Sequence, residues 1–246
     1  MNPPANDQLV LVTGGTRGLG LAVVRQLLQV GYRVVATGRT LSPGLEEVIA
    51  GSAGRVAFAP LDLGDTASLH GAVTRIGQAH GPLYALVNNA ALAHEGVLAT
   101  QHDSQIEELI MVNVTGTLIL TKYALRPMLV QKRGRIVNIA SIIGSTGFSG
   151  LSVYAASKAA LLGFTRSLAR EVGRAGITVN AVSPGYLQTD MTAGLSDEKL
   201  AIIQRRSPLH TLATPADVAG GVAYLLSAAA DRVTGTELVI DAGSTA

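Results

Sequence analysis

Tyr154 and Lys158 stand four residues apart in the run Tyr154-Ala155-Ala156-Ser157-Lys158, a spacing that places both side chains on one face of a helix. The chemistry such a pair offers is proton transfer. A phenol titrates near ~10, and a cation held beside it favours the phenolate, so a fall of about three units, roughly 4 kcal/mol, would bring it to working pH. That group can hand a proton to a forming alkoxide or take one from an alcohol. Ser141 lies thirteen residues upstream, closing the apolar run that starts at Arg135, where a hydroxyl can hold a substrate oxygen as charge builds on it. Asn113 sits among apolar neighbours in Met111-Val112-Asn113-Val114-Thr115-Gly116, and a buried amide needs partners. Taken singly, each has a plainer reading as well: helix-surface side chains, a serine entering a turn, a local helix distortion.

These residues need a frame. Short β-branched or apolar runs recur at Leu9 to Thr13, Arg33 to Thr37, Val56 to Ala59, Ala85 to Asn88, Arg135 to Ile139, Thr178 to Ser183 and Glu237 to Asp241. Between them apolar residues fall three and four apart, as in Leu19, Val23, Leu27 and Val30, or Leu161, Phe164, Leu168 and Val172. The alternation predicts an α/β fold of Rossmann type, a doubly wound parallel seven-stranded sheet with helices on both faces. No linker or repeat divides the chain, so residues 1–246 read as a single dinucleotide-binding and catalytic domain. The stretch from Gly185 to about Pro208 has no clear element and reads as a lid loop or a poorly periodic helix.

The first strand runs into Thr13-Gly14-Gly15-Thr16-Arg17-Gly18-Leu19-Gly20 and then a helix. Glycines there let the backbone turn tightly and approach a ligand, and the free N–H groups of the helix start attract an anion, as a pyrophosphate would be. The second strand ends Val35-Ala36-Thr37-Gly38-Arg39-Thr40. An acid in that place holds a free ribose hydroxyl, whereas a 2′-phosphate needs positive charge. Gly38 stands where the acid would be, and Arg39 and Arg17 supply guanidiniums, so the expected cofactor is NADP(H), with NAD(H) as the second choice.

The spacing Thr-Gly-x-x-x-Gly-x-Gly resembles the short-chain dehydrogenase/reductase family. Two further stretches follow the third and fourth strands. Leu61-Asp62-Leu63 is similar to the segment whose Asp takes the adenine amino group, and Asn88-Asn89-Ala90-Ala91 resembles the family's Asn-Asn-Ala-Gly. Ala91 departs from that pattern and would be strained if its φ were positive. Ser183-Pro184-Gly185-Tyr186-Leu187-Gln188-Thr189-Asp190-Met191 resembles the Pro-Gly-x-x-x-Thr segment over the nicotinamide. The resemblance implies a catalytic set of Asn113, Ser141, Tyr154 and Lys158. Tyr154 would be the proton donor, Ser141 would position the oxygen, Lys158 would hold the nicotinamide ribose, and Asn113 would support a water leading to solvent. It also implies cofactor contacts from Thr13, Gly14, Thr16, Arg17, Gly18, Leu19, Gly20, Arg39, Thr40, Asp62, Leu63, Asn89, Ala90, Pro184, Gly185, Leu187 and Thr189, together with Tyr154 and Lys158.

Within the family, the stretches Tyr154 to Phe164, Gly176 to Asn180 and Thr189 to Thr192 are most similar to 3-oxoacyl-(acyl-carrier-protein) reductases. That implies a homotetramer acting on a small-molecule or carrier-bound carbonyl substrate, with basic residues beside the active site docking the carrier. Lys132 or Arg133, with Arg174, are the matching candidates. Other readings are an NADP(H)- or NAD(H)-dependent dehydrogenase of a sugar, steroid or small secondary alcohol, and a non-catalytic NADP-binding sensor.

Composition narrows the field further. Of 246 residues, 48% are apolar and none is cysteine, which excludes disulfides, thiolate metal sites and a catalytic thiol. A net charge of +2 with no basic stripe argues against nucleic acid. Lys132-Arg133-Gly134-Arg135 reads as solvated surface. His70, His80, His94, His102 and His210 show no metal-ligand spacing, and no Gly-x-Ser-x-Gly elbow is present. No run approaches the ~18 apolar residues that span a bilayer, and Met1 to Gln8 lack a signal-like apolar stretch, so a soluble cytoplasmic protein is expected.

Overall fold

The computed structural model describes residues 8–187, 204–205 and 207–246. Seven strands, β1 (Leu9–Thr13), β2 (Arg33–Gly38), β3 (Val56–Pro60), β4 (Leu83–Asn88), β5 (Gly134–Ile139), β6 (Ile177–Pro184) and β7 (Glu237–Ile240), form one sheet in the order β3-β2-β1-β4-β5-β6-β7. Every pairing is parallel. The winding reverses between β1 and β4, and a crevice opens at the carboxyl ends of strands at such a switch point.

The inner strands β1, β4, β5 and β6 are buried on both faces, so alternate residues serve different layers. Val10 and Val12 of β1 pack with Val23, Val24 and Leu27 of α1 (Gly18–Gln29), Leu45 of α2 (Pro43–Gly51) and Val218, Val222 and Leu226 of α8 (Pro215–Leu226). Leu9 and Leu11 point the other way. They meet Leu69 and Ile76 of α3 (Leu69–His80), Leu120 and Met128 of α5 (Thr117–Gln131) and Leu168 and Val172 of α7 (Ser152–Val172). Two further helices are α4 (Asp103–Ile110) and α6 (Ile143–Thr146). Local signals agree with the ends of α8, where Pro215 follows a Thr214/Asp217 capping box.

Three features refine the sequence reading. The sequence leaves Asn113 in a helix or at a local helix distortion, and Met111–Gly116 is a π turn joining α4 to α5. Thr117 Oγ1 donates to Val112 O at 3.2 Å within it, and the extra residue per turn swings Asn113 inward until it is 1% exposed. The last strand ends at Ile240 because the Asp241 carboxylate accepts from the amides of Gly243 and Thr245, at 2.8 and 2.9 Å, which turns the chain. Lastly, Asp103–Gln131 forms a 29-residue helical run with a mean hydropathy of 1.2 in its best window, long and apolar enough to cross a membrane. Its Leu109, Leu120, Ala124 and Met128 are instead buried within the fold, and a core helix of this kind meets the same test.

Candidate active site

The glycine turn after β1 is tied to the turn after β4. The Thr13 hydroxyl accepts from the amides of Asn89 and Ala90, at 2.9 and 3.0 Å, and Asn89 Nδ2 donates back to the carbonyls of Thr13 and Gly14, at 2.9 and 3.1 Å. Thr13 and Asn89 therefore spend their polar atoms on shaping the loop. Within it, a Cβ on Gly20 would stand 2.0 Å from Gly14 O, so no side chain fits. Gly18 differs. Its φ is +52°, and a Cβ there would meet nothing within 4 Å, so the turn faces open space at the start of α1. That open cradle, lined by first-turn amides, fits a pyrophosphate.

The loop after β2 lies beside it, since Gly15 N donates to Thr37 O at 2.9 Å and Thr13 pairs with Thr37. Arg17, Arg39 and Thr40 are exposed there, and among the described residues neither arginine makes an ion pair. A Cβ on Gly38 would press on Thr16 Cγ2 at 2.8 Å, so an acid could stand at this position only if Thr16 moved. Thr16 is held in turn, because Ser42 Oγ donates to its carbonyl. Asp62 is exposed with Oδ1 accepting from Gly64 N at 2.8 Å, and Leu63 is buried. Ala91 has no positive φ: among the described non-glycine residues only Ala53, Lys132, His210 and Ala242 do. The strain foreseen there does not arise.

Ser141, Tyr154 and Lys158 meet at the carboxyl end of β5. Lys158 is 2% exposed, and its ammonium donates to Ile139 O at 2.8 Å while lying 5.5 Å from the centre of the Tyr154 ring. The Ser141 hydroxyl stands beside the Tyr154 phenol and accepts from Ile143 N at 3.3 Å. Burial pushes the Tyr154 phenol above its ordinary range, with the Ser141 hydroxyl pulling it back. Burial also lowers Lys158, to about 8. The sequence reading of a phenol depressed by a neighbouring cation is thus reversed in direction: the lysine is bonded to a backbone carbonyl, and desolvation of the phenolate dominates.

Asn113 joins two parts of this region. Its Oδ1 accepts from Leu92 N at 2.7 Å, and Nδ2 donates to Leu92 O at 2.8 Å and to Ser157 Oγ at 3.1 Å. Ser157 Oγ donates onward to Tyr154 O at 2.7 Å. Both amide protons are engaged, so the side chain acts as a clamp on the loop after β4. Ser157 is a residue the sequence reading passes over, although it sits inside the quoted Tyr-Ala-Ala-Ser-Lys run.

The β6 end closes the region from another side. Pro184 O accepts from Ile142 N at 3.1 Å, and Gly185 N donates to Ile240 O at 2.9 Å. Gly185 is small because a Cβ would lie 2.6 Å from Asp241 Cβ, a packing reason distinct from the expected cofactor contact. Leu187 is buried against the α1/α8 layer. Thr189, like most of the stretch from Gly185 to Pro208, falls outside the described residues. His94 Nε2 pairs with Glu108 at 3.2 Å, and among the described residues no group of His, Asp and Glu is placed to hold a metal ion. Lys132, Arg133 and Arg174 precede β5 and β6, so within one chain they stand at the amino edge of the sheet, opposite Ser141, and not beside the site as expected.

The profile described as enoyl-(acyl carrier protein) reductase matches residues 14–245. The chain belongs to the short-chain dehydrogenase/reductase family. It is 38% identical over 236 residues to the 3-oxoacyl-[acyl-carrier-protein] reductase FabG of Haemophilus influenzae, covering 96% of this chain and 97% of that one. Against FabG of Escherichia coli the identity is 36% over 238 residues, with 96% of each chain covered. Against the 3-oxoacyl-[acyl-carrier-protein] reductase MabA of Mycobacterium tuberculosis it is 36% over 241 residues, covering 98% and 94%. As a short-chain dehydrogenase/reductase the protein is an oxidoreductase that uses a nicotinamide cofactor.

Proposed function

We propose that the chain reduces the 3-oxo group of an acyl thioester, or a similar ketone, with NADPH, as a cytoplasmic homotetramer of single-domain subunits. One observation carries the reading: Ser141, Tyr154 and Lys158 stand together at the carboxyl edge where open α/β sheets bind ligands, with the Lys158 ammonium 5.5 Å from the centre of the Tyr154 ring. A phenol so placed is a proton donor. The names of the relatives supply the acyl part, and they point to a carbonyl where the family profile's name points to a carbon–carbon double bond. A hydroxyl pair aimed at one oxygen suits the carbonyl.

When bound, the reduced nicotinamide supplies hydride. Ser141 and Tyr154 then hold the carbonyl oxygen between two hydroxyls, and the phenolic proton passes to that oxygen as negative charge develops. Lys158, anchored on Ile139 O, keeps positive charge under the phenol ring and favours the phenolate that remains. Asn113, through Ser157 and Leu92, fixes where α7 and the β4 loop stand relative to one another. The relay water that the resemblance implies would have to be held other than by the Asn113 amide protons. Arg17 and Arg39 would take the 2′-phosphate, as two unpaired guanidiniums at adjacent strand ends.

Self-association is supported by apolar surface left on α5 and at the β7 edge, with Val130 85% exposed and Val239 43%. A solution mass of four chains is expected, and a monomer would refute that part.

A substrate panel tests the activity. Purified protein should reduce an acetoacetyl thioester with NADPH and do so far more slowly with NADH. Failure on the thioester with turnover of sugars, steroids or simple secondary alcohols would replace the acyl reading with the dehydrogenase one.

A further inference from the structure

Asn88 and Asn138 follow Leu86 and Ile136 by two residues on β4 and β5, so both side chains enter the apolar layer that Leu86, Ile136, Leu120 and Leu168 fill below α5 and α7. Thr121 of α5 and Thr165 of α7 meet them there. All four polar residues are buried, Asn138 at 0% exposure.

They form one hydrogen-bonded chain. Asn88 Nδ2 donates to Thr121 Oγ1 at 2.9 Å and to Asn138 Oδ1 at 2.8 Å, and Asn138 Nδ2 donates to Thr165 Oγ1 at 2.8 Å. At its two ends the threonine hydroxyls donate to Thr117 O and Leu161 O, both at 2.7 Å. The middle of the chain lies next to the site. Asn138 precedes Ile139, whose carbonyl holds Lys158, and Thr165 comes seven residues after Lys158, about two turns along the same face of α7. Hydrogen bonds of this kind add little net stability, because they replace bonds to water and their polar groups must be stripped of it. A directional bond does something that apolar contact does not. It sets the height of one element against another.

We infer that Asn138 is a positioning residue for the reduction. Its amide, bonded to Thr165, sets the height of α7 along β5, so that the Lys158 ammonium meets Ile139 O and Tyr154 stands beside Ser141. The inference rests on the proposed reductase activity, in which Tyr154 gives the proton. Neither Asn138 nor Thr165 touches substrate in this account.

Thr165→Val removes the hydroxyl that Asn138 bonds while keeping the shape of the side chain, and Thr165→Ser keeps the hydroxyl. At a temperature well below every Tm, with NADPH and an acetoacetyl thioester, Thr165→Val should lose about tenfold or more in kcat, the scale of a small misplacement of reacting groups. Its NADPH dissociation constant should change by less than about threefold, and Thr165→Ser should recover most of the loss. Thr165→Ala makes the same comparison if Thr165→Val does not fold. A second readout needs no turnover: NMR titration of the Lys158 amine, about 8 in the wild type, should move upward by about half a unit or more in Thr165→Val as α7 shifts and water reaches it. The inference fails if the folded hydroxyl-free variant keeps wild-type kcat, if Thr165→Ser loses as much, or if the Lys158 titration does not move. A wild type that reduces no carbonyl would refute the reductase reading instead, and the Lys158 titration then decides whether Thr165 sets the place of α7.

Discussion

Lys158 donates to the carbonyl of Ile139 across 2.8 Å, and this bond, made to the last residue of β5, fixes the ammonium under the Tyr154 ring. Burial disfavours the charge, so the folded protein releases this proton at about 8 whereas an unfolded lysine keeps it to about 10.5. Below pH 8 both states are protonated and the burial cost stands in full. Between about 8 and 10.5 the unfolded chain binds more protons, so this group's contribution to stability improves as pH rises. Urea unfolding at several pH values should show the wild type gaining on Lys158→Met across that window. Reduction should fall as pH rises through about 8, where the folded protein loses the ammonium. A flat difference between the two proteins would show that Lys158 is not titrating there.

The Asn113 clamp predicts a different signature. In Asn113→Ala the amide and carbonyl of Leu92 lose their partners, at a cost of about 2–4 kcal/mol by urea unfolding. Because the side chain bonds Leu92 and Ser157 and none of the glycine-turn residues, kcat should drop more than NADPH affinity does. Asn113→Asp keeps the acceptor for Leu92 N but loses both donors, so it should recover only part of the stability.

Gly18 and Gly20 are two residues apart and should behave oppositely. Gly20→Ala sets a Cβ against Gly14 O and should cost several kcal/mol, abolishing the fold or lowering Tm steeply. Gly18→Ala meets open space and costs only about 1–2 kcal/mol for its positive φ. That variant should fold, yet bind NADPH at least about tenfold more weakly, since the added methyl stands where the dinucleotide approaches. Thermal melts with and without NADPH separate the two.

If Arg17 and Arg39 hold the 2′-phosphate as proposed, cofactor choice follows from charge at two strand ends. Arg39→Glu should lower kcat/KM for NADPH by about 10- to 100-fold, the worth of one charge-assisted hydrogen bond or two, and leave NADH little changed. Gly38→Asp alone should not convert the enzyme to NADH, because its Cβ presses on Thr16. Unchanged NADPH use by Arg39→Glu would remove this arginine from the account.

The parts of this molecule that are legible in sequence are those written in local pattern. The strand cores at Val10–Val12 and Val34–Ala36 are β-branched or small residues buried on both faces, and a one-letter string records that. Glycine positions in the first turn are legible for a similar reason, since each departure from an ordinary backbone needs a glycine where it occurs. Contacts between distant segments leave no such trace. Nothing near Asn89 says that its amide binds Thr13, nothing in Ile139 marks its carbonyl as the anchor of Lys158, and the π turn follows from packing around Gly116 and Thr117. The direction of the Tyr154 shift is not legible in sequence on the same ground. Sequence shows a lysine four residues away, whereas burial, which outweighs it, belongs to the folded chain. Arg133 and Arg135 look like surface charge until Tyr84 is seen beneath them.

If the Tyr154 phenol donates the proton during reduction, Tyr154→Phe is the direct test, because it removes that one oxygen while keeping the ring against Lys158. With NADPH and an acetoacetyl thioester, kcat for the variant should fall by about 100- to 10,000-fold, the usual worth of a general acid, while the NADPH dissociation constant changes by less than about threefold. A variant that keeps wild-type kcat would contradict the mechanism, and a wild type that binds NADPH but reduces no carbonyl would make the protein a nucleotide-binding subunit instead.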